Sequence, residues 1–209
     1  LNLVVLTSSQ AQAERCPPHA PNTTLKAYST QLKYFRNFSS ADLTFSQTGH
    51  TDPRSRILGM AGGEIGTRLK VQYLVSTLSS GLKCVKVTKV TAKFYTKPVM
   101  FVASDYKKGS CEYRQVLKHE KLHIKTLKKF HMEYTPRYRA ELKRIAKRIP
   151  VARAMPAGYV ESEKDRIVGF IREHMSRFDD KIFKVLGSRQ AKIDTPYEYK
   201  LVASKCRNW

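Results

Sequence analysis

Beyond its first six residues, this chain has no apolar run near the roughly 20 residues that a membrane-spanning helix needs, so no transmembrane segment is expected. None of its four cysteines, Cys16, Cys84, Cys111 and Cys206, stands at C-x-x-C spacing, which argues against a cysteine-built zinc site. Internal repeats and low-complexity runs are absent, so nothing points to a repeat array. Acidic residues are scarce: 17 Asp and Glu stand against 39 Lys and Arg, a net charge of +22 over 209 residues. Aromatic residues are few beside the densest basic stretch, Arg137 to Arg148, where Tyr134 and Tyr138 are the neighbours. A platform for single-stranded nucleic acid interleaves more rings with its cations. The charge is therefore read as solvated surface with nonspecific attraction to anionic polymers, and no specific nucleic-acid partner is expected.

What the chain does contain is His119-Glu120-Lys121-Leu122-His123, an HExxH pattern inside a long stretch that reads as helix. Histidines four residues apart lie on one helical face about 6 Å apart, close enough to share one tetrahedral zinc ion, and the glutamate falls beside the water that the ion activates. At 100° per residue from Tyr113, the apolar residues Tyr113, Val116, Leu117, Ile124, Leu127 and Tyr134 fall between roughly 300° and 40°. Glu120 lies inside that arc at roughly 340°, His119 and His123 flank it at roughly 240° and 280°, and Lys118, Lys121, Lys125, Lys128 and Lys129 occupy roughly 60° to 160°. The lysines face water and the motif does not. A carboxylate on an apolar face must be paired or lose its charge, and a general base beside zinc has a reason to be there.

A catalytic zinc needs a third protein ligand and an open position. His131 lies roughly 12 Å farther along a continuous helix, and Thr126 and Lys129 rule out the longer HExxHxxGxxH pattern. On the helix expected from Ser162 to about Val185, Ile167, Phe170, Ile171, Phe178 and Ile182 mark an apolar face that includes His174. His174 is the expected third ligand, with Glu163 as the alternative.

The remaining pattern places strands before helices. Stretches of Leu25 to Phe45 are strand-like, Thr67 to Thr77 alternates, Lys83 to Tyr95 alternates with one slip that predicts a bulge, and Pro98 is expected to open a further short strand to Ala103. Ser110 is the expected N-cap of the motif helix, Thr135-Pro136 its expected end, Arg137 to Ile149 a second helix, and Thr195-Pro196 the start of the last one. The expected fold class is α+β: an antiparallel meander, then the HExxH helix, then further C-terminal helices, in a zincin-like arrangement.

Leu1 to Ala13 carries no charge and ends in Ala11-Gln12-Ala13, which reads as the tail of a secretory signal peptide; residues 14–209 are expected to form a single domain. A secreted or periplasmic location agrees with an even cysteine count, and the pairs Cys84–Cys111 and Cys16–Cys206 are favoured on the expected placement of the elements. Asn22-Thr23-Thr24 and Asn37-Phe38-Ser39 match the glycosylation sequon.

From Tyr73 to Ile149, a cysteine in a β region, Gly109-Ser110-Cys111-Glu112-Tyr113, the HExxH pentad and a following basic amphipathic helix together resemble a bacterial family of unknown function described as secreted zinc-dependent proteases. The resemblance implies export, zinc, and metal-ligand and general-base roles for His119, His123 and Glu120. Leu122 departs from its commonest form, which has glycine before the second histidine. The function so implied is hydrolysis of a peptide or a peptidoglycan-type amide. A different class remains open: a cationic envelope protein that binds anionic polymers, with a structural zinc site or none.

Overall fold

The computed structural model describes residues 15–50, 56–207 and 209. The expected signal-peptide remnant, residues 1–13, lies outside them. The protein is mixed helix and strand, in the order β1 (Asn22–Ser29), β2 (Lys33–Phe35), α1 (Ser40–Thr48), β3 (Gly59–Thr77), β4 (Lys83–Val102), α2 (Cys111–Ala146), α3 (Val160–Ala191) and α4 (Pro196–Ala203). No helix among the described residues is long and apolar enough to cross a membrane.

One long hairpin organises the sheet. β3 and β4 pair antiparallel from Gly59↔Val102 to Thr77↔Lys83, and Gly81 supplies a positive φ of 82° in the connection. The pairing steps from Gln72↔Lys89 to Tyr73↔Val87, so Thr88 is the extra residue of a bulge at the slip in the alternation of β4. β1 and β2 pair with the other side of β4, both in parallel. The sheet is therefore mixed, and the expected antiparallel meander is corrected in two respects. Pro98 interrupts nothing, because β4 continues through it. Within Leu25 to Phe45, where strand-like stretches are expected, only the earlier part is strand, and from Ser40 the chain is helical: Ser39 and Asp42 form a reciprocal capping box and Gly49 closes the last turn at φ 73°.

The motif helix is longer than expected. Ser110 caps it by accepting from the Tyr113 amide, and it runs 36 residues to Ala146, with Pro136 inside. A proline removes the amide that would reach the carbonyl four residues back, here that of Met132. Met132 is 69% exposed and Pro136 is exposed too, so water can take that carbonyl. Thr135 Oγ1 donates to the His131 carbonyl at 2.8 Å in the same turn. Tyr138, Leu142 and Ile145 continue the buried stripe, which is why tertiary packing holds the helix together past its proline.

α2 lies on the inner face of the sheet. Its second half, from Leu127 to Ile145, packs with Val90, Ala92 and Phe94 of β4 and with Ile167, Ile171, Met175, Ile182 and Leu186 of α3. Its first half builds a separate cluster in which Tyr113, Val116 and Ile124 meet Met100 and Val102. α3 starts before Ser162, which donates to the Tyr159 carbonyl instead of capping the helix, and it runs on to Ala191.

Both disulfides differ from the favoured pairing. Cys16 is joined to Cys84 and Cys111 to Cys206. The first pins the chain ahead of β1 to the start of β4. The second ties the segment after α4 to the first residue of the motif helix. Two disulfides are compatible with an exported protein.

Candidate metal centre

The motif side chains occupy the flank where the helical angles put them. His119, Glu120 and His123 are buried at 7%, 5% and 5% exposure, while Lys118, Lys121, Lys125, Lys128 and Lys129 are exposed. A third group meets the histidines. Asp194 Oδ1 lies 3.2 Å from His119 Nε2 and 3.0 Å from His123 Nε2, and the two nitrogens are 3.3 Å apart. Among the described residues these three side chains form the group whose ligand atoms lie close enough to hold a metal ion together. Bonds of about 2.0 to 2.1 Å at tetrahedral angles space the ligand atoms about 3.3 Å apart, so the triangle has the edge length that zinc requires.

Gln190 fixes the orientation of the His123 ring. Gln190 Nε2 donates to the His123 carbonyl, which turns Gln190 Oε1 toward His123 Nδ1 at 2.7 Å. That oxygen can only accept, so Nδ1 donates to it and Nε2 is the nitrogen turned toward the carboxylate oxygen. Two acceptors at 3.0 Å repel each other unless a proton or a cation lies between them. The residues present fit a zinc ion: two imidazoles, one carboxylate, and an amide that orients one imidazole from outside.

Glu120 faces the same site without joining the triangle. Burial first, and then the negative charge of Asp194, push its pKa up to about 8. Gly59 at the start of β3 runs directly over it: a Cβ there would sit 2.7 Å from Glu120 Oε1 and 2.7 Å from Val116 Cγ1. Tyr199 of α4 donates its hydroxyl to Asp194 Oδ1 at 3.0 Å and lays its ring 5.6 Å from that of His119. Its own pKa is raised to about 12, by burial and then by that bond, so the phenol stays a donor.

The site opens into a cleft of about 830 Å³, bounded by Leu58 to Ala61 on the sheet side and by Tyr199, Val202 and Trp209 on the C-terminal side. Exposure differs around the triangle, with 8% and 6% of the two imidazole side chains accessible against 39% of Asp194. The open side is thus the carboxylate side, where a fourth position would face the cleft.

His174 is not among these residues. Its Nδ1 pairs with the Phe170 carbonyl at 2.9 Å and its ring lies over that of Phe170. The reason is helix direction. α3 runs antiparallel to α2, so Gln190 meets His123, Phe178 meets Tyr138, and His174 comes opposite Glu141. Glu141 is roughly 27 Å along α2 from His123 at 1.5 Å per residue. Glu163, the alternative, lies nearer still to the far end and pairs with Arg166. Asp194 carried a faint signal in the sequence: after Lys181 the carboxylate side chains are Asp194 and Glu198, and Glu198 lies in the first turn of α4, where its amide donates to Thr195 Oγ1. Gln190 and Tyr199 carried none.

No family model matches this chain, and neither do any curated protein or solved structure.

Proposed function

We propose that this protein is a secreted zinc-dependent metallopeptidase in which His119, His123 and Asp194 hold the ion and Glu120 is the general base. The observation that carries the reading is the triangle of 3.0, 3.2 and 3.3 Å among their ligand atoms, on the open wall of a cleft and beside a buried carboxylate. Zinc, when bound, supplies a Lewis acid that makes a water more acidic and polarises the scissile carbonyl. Glu120 takes a proton from the attacking water as the new C–O bond forms, then delivers it to the amine nitrogen as the C–N bond breaks. Burial and the charge of Asp194 raise the carboxyl to about 8, and a bound cation would draw it back down toward the neutral range, where one group can both take and return a proton.

The substrate class follows from the sheet. Among the described residues β3 pairs only with β4, so its other edge is free where Gly59 to Ala61 border the cleft. An extended peptide can add there as a further strand, with its backbone held by main-chain hydrogen bonds. The resemblance of residues 73–149 to secreted zinc-dependent proteases supports the same reading and a zincin-like arrangement.

Purified protein supplied with zinc should bind one ion per chain. Glu120→Gln should keep the ion and lose hydrolysis of a quenched peptide library, whereas His119→Ala should lose both. Wild-type protein that binds no zinc at neutral pH overturns the proposal. The near-complete burial of both imidazoles favours a second reading, a purely structural metal. Zinc-loaded wild-type protein as inert as Glu120→Gln across the library would select it.

A further inference from the structure

The face of the sheet turned away from α2 carries cations in an arrangement that a fold would not choose for its own stability. Lys26 of β1 is paired in register with Lys93 of β4, and Lys93 with Arg68 of β3, so three cations stand side by side across three strands. Adjacent strands are about 5 Å apart, and like charges directly opposite one another destabilise a sheet. All three side chains are exposed, and none makes an ion pair among the described residues. The neighbouring rows, each about 7 Å along the strands, extend the pattern. One contains Thr24, Thr91 and Lys70, and the row beyond it Asn22, Lys89 and Gln72. On the other side of the three cations comes Tyr28, Tyr95 and Gly66, and Glu64 on this face is already paired with Lys97 at 2.6 Å.

We propose that this outer sheet face is a binding surface for an acidic polysaccharide. Charge complementarity requires a polyanion. The polar groups between the cations, two threonine hydroxyls and two carboxamides, match the hydroxyl-rich body of a sugar chain. Base stacking fits the face less well, because Tyr95 is only 7% exposed beneath Arg68 and Lys97, leaving Tyr28, 42% exposed, as the ring in that row open to a ligand. The surface is independent of the metal centre, which lies with α2 on the opposite face. Its role would be to hold an exported protein on an anionic glycan while the cleft stays free.

The test is heparin affinity of the full chain at about 0.15 M salt, with single-stranded DNA and phosphatidylserine vesicles as parallel arms. Lys26→Ala/Arg68→Ala/Lys93→Ala is compared with the charge-matched Lys125→Ala/Lys128→Ala/Lys129→Ala on the exposed side of α2. The sheet variant should lose at least about tenfold in affinity and about 2 to 3 in the slope of log K against log salt, and the control less than about threefold. Because the sheet variant removes opposed like charges, it should melt no lower than wild type, which separates lost binding from lost folding. Equal losses in the two variants, wild-type binding that disappears by 0.15 M salt, or tighter binding of DNA or vesicles than of heparin would each overturn the proposal.

Discussion

Asp194 and Gln190 meet the same imidazole from opposite sides, and their replacements should separate a proposed ligand from its support. Asp194→Ala removes one corner of the triangle and should leave the protein with less than one zinc per chain after dialysis. Gln190→Ala leaves all three corners but frees the His123 ring, and should weaken zinc affinity about 10- to 100-fold with stoichiometry kept, measured by competition with a chromophoric chelator. His131 shows what a histidine in the same helix becomes away from the site. It stacks on Phe94 at 4.6 Å, its buried Nδ1 has no hydrogen-bond partner among the described residues, and burial holds its pKa below the ordinary value. A base with a lowered folded pKa contributes stability that is fully present above its unfolded pKa, about 6.5, and is lost as pH falls through the folded value. His131→Phe should therefore stabilise the protein by about 1 kcal/mol at neutral pH and flatten the loss of stability below pH 6.5, read from urea midpoints across pH. A steeper acid loss in the variant would contradict this account.

At the scale of elements, the site is where two antiparallel helices and the start of a strand meet. α2 presents the histidines from its first half, α3 ends beside them, and the three residues after Ala191 carry Asp194 across the gap. Gly59 is the contribution of β3. Any side chain there would collide with Glu120 and Val116, so Gly59→Ala should displace Glu120, the proposed general base, without touching His119, His123 or Asp194. If the protein is the proposed zinc peptidase, the expected result is wild-type zinc content with turnover lowered at least about tenfold, since small misplacements of a reacting group are costly. Unchanged kcat would mean that Glu120 does not work from its present position. Periodicity made much of this scale legible. It marked the caps at Ser110 and Thr195, the bulge near Thr88 and the buried stripes of α2 and α3. It failed where local signals and packing disagree. Thr135-Pro136 is a sound local stop signal, overridden because Tyr134 and Tyr138 on either side are both buried. Helix Ser40–Thr48 is not declared by periodicity because its apolar residues are few, and its capping box of Ser39 and Asp42 is the local feature that marks it.

For the whole molecule, the two disulfides close separations of 68 and 95 residues, each able to stabilise the fold by about 4 to 5 kcal/mol through the unfolded chain. Cys111–Cys206 holds α4, which buries no residue of its own, against the start of α2. Replacing both cysteines by serine should lower stability by several kcal/mol in urea unfolding, yet leave zinc stoichiometry at one, because Asp194 hangs from α3 and not from the bridge. Loss of zinc in that variant would show that the bridge, not α3, positions the aspartate. The HExxH pair, the buried placement of its glutamate and the solvent-facing lysines all followed from residue spacing along one helix, because 3.6 residues per turn is a local rule. The approach of Asp194 to the two histidines, the disulfide partners and the row of Lys26, Lys93 and Arg68 did not, because each joins residues at least 25 positions apart in sequence. Their meeting depends on which way α3 runs against α2 and on the register of three strands. Those are properties of packing, and no local periodicity encodes them.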